Sequence, residues 1–294
     1  MLETLVVTIL FNTLIYTIIL ALISVGLNMI LGVLKILNVA HGAFFALGAY
    51  TSVTLVKIFL TGGLPIFTTY IALILAGVLS GLIVGILIEP TILRRIYTRI
   101  EVYQLLVTYS LALIIEDLIK FIWGPEAKII NEPYLYLGTL NIGGVFYPTY
   151  YIFLIIVGSI ILFTTYVFLN TTYLGKIIYA TAFDKEISLT MGVNVNKIYT
   201  YSFIIGTMLT TLGGALMSPT LSLQPGFSSE YIVIAFAIIV IGGLGSVKGA
   251  FLASTITALA RSITIIIFPE LELAILFMIM VTVLLIKPTG LFGG

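Results

Sequence analysis

The sequence predicts an all-α integral membrane protein: a polytopic bundle of about eight or nine crossing helices, with one broken or re-entrant element. Three observations carry that reading. Of the 294 residues, 61% are hydrophobic and only 9% charged, against roughly 45–50% apolar and about 25% charged in soluble domains. The apolar residues fall in runs close to the 20 or so needed to cross a bilayer as a helix. Those runs are too long for barrel strands, which need about 10 residues of alternating character. The same composition excludes other classes. A net charge of +1 provides no basic field for nucleic acid. The absence of Cys rules out disulfides and thiolate sites, and a lone His41 leaves little for a metal cluster or a hydrolytic triad. No cofactor is expected.

Breaks at charged, Gly-rich and Pro-rich points place segments near residues 5–31, 40–58, 66–88, 104–123, 149–169, 199–217, 230–241, 250–268 and 272–286. The stretch 230–241 is too short to cross alone, so it is the broken or tilted element. Met1-Leu2-Glu3 lacks the basic start of a signal peptide, and the first helix is expected to be kept. Residues 1–294 thus read as one transmembrane domain.

Charge placement orients it. Residues 89–101 hold Glu89, Arg94, Arg95, Arg99 and Glu101, and residues 170–198 hold Lys176, Asp184, Lys185, Glu186 and Lys197. The positive-inside rule puts both loops in the cytoplasm. Residues 124–148, 218–229 and Glu270 then lie outside, Lys248 and Lys287 inside. With nine crossings the N-terminus is outside and the C-terminus inside.

Two stretches read as irregular at membrane depth, where broken backbone belongs against protein or a cavity. One runs from Asn38 through His41 and Gly42 to Gly48, with Asn38 placed to cap the following helix and the glycines permitting close approach. The other holds Gly242, Gly243, Gly245 and Gly249 within eight residues, which argues against a straight helix. Each leads into a similar tract, His41-Gly-Ala-Phe-Phe-Ala-Leu and Lys248-Gly-Ala-Phe-Leu-Ala-Ser. Interrupted elements at matching places in two halves point towards a transport pathway or gate; tight helix packing by small residues is the plainer reading. His41 itself reads as a hydrogen-bonded packing residue before a proton carrier.

Charges within spans need partners. Glu116 and Asp117 lie 12–13 residues into one span and Arg261 lies 11 residues into another running the same way. Similar depth predicts an ion pair between Arg261 and Glu116 or Asp117. In the loop 170–198, Ala180, Phe183, Ile187 and Met191 recur at helical spacing, predicting a short helix with one apolar face. Asp184, Lys185 and Glu186 take its other side, and Gly192 stops it. Such a helix can rest on the membrane, pack on its own bundle, or dock into a partner's groove.

These residues resemble the permease subunits of ATP-binding cassette importers of the branched-chain amino-acid (Liv) type. The resemblance rests on Leu174-Gly175-Lys176 followed by Ala180, with Met191-Gly192-Val193-Asn194 closing the loop. It extends to Asn38-Val-Ala-His41-Gly42, to Thr108 through Glu116-Asp117 and Trp123-Gly124, to Ile241-Gly242-Gly243-Leu-Gly245-Ser246 ahead of Gly249-Ala250, and to Lys287-Pro-Thr-Gly-Leu291. The matches run in order from about residue 24 to 291 and are closer to the LivH-like than to the LivM-like subunit. Several positions depart from the pattern: Tyr179 stands where Arg is common, Asp184-Lys185 where Asn is common, Glu116-Asp117 for Gln-Asn, and Arg261 near a usual Glu.

The resemblance implies a multi-pass cell-membrane permease for leucine, isoleucine or valine. It implies a second, LivM-like permease subunit, two cytoplasmic ATPase subunits and an extracytoplasmic substrate-binding protein. Within it, Gly175, Lys176, Ala180, Phe183, Asp184, Ile187, Met191 and Gly192 form the loop that docks on an ATPase. The chain has no Gly-x-x-x-x-Gly-Lys-[Ser/Thr] phosphate loop, so hydrolysis falls to partners and the chain is not itself an enzyme. Related permeases carry urea, short amides or sugars. A secondary transporter using Glu116, Asp117 and His41 is the competing class, though ion coupling calls for more than one deep acidic cluster. A membrane enzyme has no constellation to work with.

Overall fold

The computed structural model describes residues 2–293. Helix α1 (Leu2–Leu34) has 33 residues, about 50 Å at about 1.5 Å per residue. It is followed by α2 (His41–Thr61), α3 (Thr68–Thr91) and α4 (Glu101–Trp123). A short helix α5 (Glu132–Leu135) and an antiparallel hairpin, β1 (Thr139–Ile142) with β2 (Val145–Pro148), come next. Then follow α6 (Tyr150–Thr171), α7 (Tyr173–Phe183), α8 (Lys185–Thr190) and α9 (Val195–Met217). Helices α10 (Ser228–Gly242), α11 (Val247–Ile267) and α12 (Glu272–Ile286) complete the order.

Among the described residues seven helices are long and apolar enough to cross a membrane: α1, α2, α3, α6, α9 and α11, and α12 taken together with the 3-10 turn that leads into it (Pro269–Ile286). Helix α4 is as long but carries Glu101, Glu116, Asp117 and Lys120. Helix α10 spans 15 residues, about 22 Å against a hydrocarbon core of about 30 Å. The fold is therefore a polytopic helical membrane bundle with one short element, as its hydropathy implied.

Lipid tails are as apolar as leucine, so helices associate through close packing and interhelical hydrogen bonds. Helix α9 is the hub, packed against α1, α2 and α3. Gly26 of α1 crosses Gly206 of α9 so closely that a Cβ on Gly26 would lie 2.5 Å from the Gly206 carbonyl oxygen. On α3, Gly77, Gly81 and Gly85 repeat every turn and lie against Leu212, Met208 and Ile204 of α9. The seam is bonded as well as packed. Thr207 donates to the Gly81 carbonyl at 2.9 Å and Thr211 to that of Gly77 at 2.7 Å.

The end of the bundle away from the loops 89–101 and 170–198 is tied by polar contacts. Lys128 and Leu223 exchange backbone hydrogen bonds of 2.9 Å, Tyr70 donates to the Pro133 carbonyl at 2.8 Å, and Trp123 donates to Thr54 at 2.7 Å.

Candidate functional site

The loop 170–198 forms an elbow, with α7 and α8 where the sequence predicts one helix around 180–191. The chain turns at Asp184, which is extended (φ −145°, ψ 108°) and whose carboxylate accepts the Ile187 amide at 2.9 Å. Asp184 thus caps a new helix rather than lying on the polar side of a continuous one, the preference of a short acidic side chain at a helix start. Thr172 caps α7 by accepting the Gly175 amide at 3.0 Å. Gly175 is buried against Phe168 and Leu169, where a side chain would meet backbone, so it permits the tight α6–α7 turn. Gly192 follows α8 with φ +80°, a left-handed stop that suits glycine.

The elbow is anchored on one side by buried Ile178, Thr181 and Ser188. Its other side is bare: Phe183 is 89% and Met191 79% exposed, with Tyr179 and Ile187 also exposed. Lys176 and Ala180 are exposed beside them. Together these side chains form an exposed apolar patch.

The second irregular region is built around a residue the motifs did not single out. Asn28, buried in α1, accepts the Gly245 amide on its Oδ1 at 2.7 Å and donates its Nδ2 to the carbonyls of Ser246 (2.7 Å) and Gly243 (3.4 Å). One side chain therefore satisfies the turn 243–246 between α10 and α11. Gly243 (φ +102°) and Gly245 (φ +82°) supply conformations that side chains rarely adopt. Gly242 and Gly249 press backbone to backbone where α10 and α11 part. The tail Lys287–Leu291 closes the same corner: the amides of Leu291 and Phe292 donate to the carbonyls of Ile241 and Gly242 at 2.8 and 3.0 Å. An amide within an otherwise apolar run is the signal that could have flagged Asn28, because such a group must find partners.

Around Asn38 the outcome differs from expectation. The interruption lies at residues 35–40, opened by Lys35 at φ +58°, and α2 is continuous from His41 past Gly42 and Gly48. Asn38 does not cap α2. The helix is flanked by Ala40, two residues later, and the buried Asn38 amide has no partner on either atom. Only its carbonyl takes part, accepting the His41 amide at 3.3 Å. His41 is fully buried, with Nε2 against the Ile23 carbonyl at 3.1 Å and the Thr210 hydroxyl, so it joins α1, α2 and α9. Gly42 packs on Ser228 and Ile232 of α10, and Gly48 on the backbone of Thr211 in α9. The pathway or gate candidates thus occupy close helix crossings.

The intramembrane ion pair falls elsewhere than expected. Arg261 pairs with Glu230 (3.1 Å) and Glu272, at the starts of α10 and α12, and lies over the Tyr16 ring at 4.8 Å. Asp117 pairs with Lys120 at 3.0 Å on an exposed face, and Glu116 has no part in either pair. The reason is neighbourhood: α4 packs on α2, whereas α11 lies among α1, α10 and α12. Equal depth did not make these charges neighbours.

A further network surrounds Glu89, which is 0% exposed. Arg94 donates to both its oxygens (2.8 and 3.2 Å), and Tyr97 and Thr200 donate at 2.7 Å each. Burial and the bond to Glu89 push the Tyr97 hydroxyl above its ordinary range. This cluster locks the C-terminal end of α3 to the start of α9.

The architecture defines a class: a multi-pass helical membrane protein, here with an exposed apolar elbow between α6 and α9. Residues 9–284 match the family described as branched-chain amino acid transport system / permease component, and the chain belongs to that family. It is 25% identical over 283 residues to a high-affinity branched-chain amino acid transport system permease protein, BraD, of Pseudomonas aeruginosa, covering 93% of this chain and 91% of that one. It is 26% identical over 300 residues to a probable branched-chain amino acid transport permease protein, LivH, of Methanocaldococcus jannaschii, covering 96% and 91%. Similarity to a ribose import permease protein, RbsC, of Haemophilus influenzae is 25% over 242 residues, covering 81% and 70%. The chain is thus a transport permease component, of a kind that works with ATPase and binding-protein components.

Proposed function

We propose that this chain carries leucine, isoleucine and valine inward across the cell membrane as the LivH-like half of an ATP-driven importer. An external binding protein delivers the amino acid, a LivM-like subunit completes the pathway, and two cytoplasmic ATPases supply the motion. The exposed face of Tyr179, Phe183, Ile187 and Met191 carries this reading. It is an apolar patch on a capped, anchored elbow, at the end of α6 and the start of α9. A force on the elbow acts directly on the hub helix and, through Glu89 and Thr200, on α3. The chain has no phosphate loop of its own, so ATP is hydrolysed by the docked subunits.

The test is reconstitution in proteoliposomes with the second permease, the ATPases and the binding protein. ATP-dependent leucine uptake is expected. The double variant Phe183→Asp/Met191→Asp should abolish it and release the ATPases while leaving thermal stability unchanged. Uptake that persists in that variant, or proceeds without ATP, refutes the reading. Similarity to the ribose permease supports a second one, a polar small solute on the same machinery, separated by competing leucine uptake with ribose.

A further inference from the structure

We infer that the chain holds a binding site for a free aliphatic amino acid at its cytoplasmic mouth, an inference that rests on the transport reading above. The cavity measures about 270 Å³ and is lined by Leu31, Lys35, Leu37, Glu101, Gln104 and Leu244. That is close to the lower end of small-molecule pockets, about 300 Å³. Three separate parts of the fold meet there: the interruption after α1, the first turn of α4, and the 243–246 turn that Asn28 holds. The loop 89–101 that leads into α4 is cytoplasmic by its cations, so the cavity opens on that side.

Its lining matches one chemistry. Lys35 and Glu101 share the cavity, and neither makes an ion pair or a side-chain hydrogen bond among the described residues. An ammonium and a carboxylate that line one cavity without pairing complement a molecule that carries a group of each sign on one carbon. Lys35 would take an α-carboxylate and Glu101 an α-ammonium, each a charge-assisted contact. Leu31, Leu37 and Leu244 then provide an apolar wall for a branched side chain. Gln104 is fixed rather than floppy: its Nε2 donates to the carbonyls of Arg99 (2.9 Å) and Ile96 (3.3 Å), leaving its amide oxygen as the remaining acceptor. Lys35 reaches the cavity from a left-handed backbone (φ +58°), a conformation held at some cost in a non-glycine residue. Neither a phosphate nor a metal ion suits this set, since each would meet one favourable and one opposed charge.

The experiment uses the assembled importer in nanodiscs without its binding protein and measures equilibrium binding of radiolabelled leucine. Saturable binding is expected. Leucinamide, which lacks the carboxylate, and 4-methylpentanoate, which lacks the amine, should each fail to compete. Lys35→Gln and Glu101→Gln should each weaken binding about tenfold to a hundredfold, the scale of a lost hydrogen bond to a charged group. Both positions are exposed, and gel filtration of each variant complex verifies assembly. Absent leucine binding, binding equal in wild type and both variants, or competition by either one-charged analogue overturns the site. Binding-protein-dependent leucine uptake, measured on the same purified complex reconstituted in proteoliposomes, separates the two ideas. Uptake without the binding refutes the site alone, whereas no uptake refutes the transport reading.

Discussion

Replacing Asn28 by alanine removes the one side chain that holds the 243–246 turn. Two short hydrogen bonds of 2.7 Å and a longer one of 3.4 Å disappear, and the Gly245 amide is left without its acceptor. Interhelical bonds in membrane proteins average about 0.6 kcal/mol and reach about 1.7 kcal/mol. Two such bonds, with the weak third as a minor addition, amount to about 1–3 kcal/mol. The loss should be local, because the tail amides of Leu291 and Phe292 still hold the end of α10. Hydrogen exchange of the 243–249 segment in detergent or nanodiscs reads that opening directly, at about a factor of 10 per 1.4 kcal/mol. Exchange there should rise roughly tenfold to a hundredfold in Asn28→Ala, with little change in the α3–α9 seam. Unchanged exchange at Gly245 would show that the glycines and the tail hold the turn unaided. A uniform rise across the chain would show that Asn28 supports the whole bundle instead of one corner.

Other expectations follow from the same geometry. Glu89→Ala removes a buried carboxylate that four donor atoms satisfy; loss of one partner in a fully buried pair costs about 3–5 kcal/mol. The Arg94 side chain is 37% exposed, so a loss of about 2–3 kcal/mol is expected in thermal unfolding, with Glu89→Gln milder. Arg261→Ala leaves Glu230 and Glu272 facing each other and should cost roughly 1–3 kcal/mol, whereas Asp117→Asn, an exposed pair, should stay within about 0.5 kcal/mol. Equal effects, measured in parallel melts, would contradict the assignment of Arg261 to the α10–α12 corner. Gly81→Leu puts a Cβ 2.5 Å from the Met208 Cα, a backbone clash that side-chain movement cannot relieve. It should cost about 3 kcal/mol, at the upper end for overpacking, read as lost folded yield.

How much of this was legible in advance depended on whether the governing physics is local. The long apolar helices, the short α10 and the glycine-rich turn follow from hydropathy and backbone permissiveness, properties of neighbouring residues. The irregular stretch expected from Asn38 to Gly48 lies instead at residues 35–40, within the gap that hydropathy leaves between the first two spans. Asn38 was expected to cap a helix that begins too far downstream for its side chain to reach. The elbow became two helices because Asp184, read by its charge alone as surface, served better as a cap.

Pairing could not be read the same way. Arg261 finds Glu230 and Glu272 only because α10, α11 and α12 assemble at one corner, and Glu116 and Asp117 are remote because α4 lies on the far side of α2. Depth in a membrane is one coordinate, and it follows from counting residues along a helix; the position around the bundle is decided by which helices pack. By itself the sequence determined that this is a multi-pass bundle, that one late apolar helix is short, and that the glycines after it break the backbone. Only the tertiary structure decided that Asn28 holds the glycine turn, that Glu89 joins α3 to α9, and that Lys35 and Glu101 share a cavity. Those contacts join residues from different helices or loops, and their partners are chosen by packing.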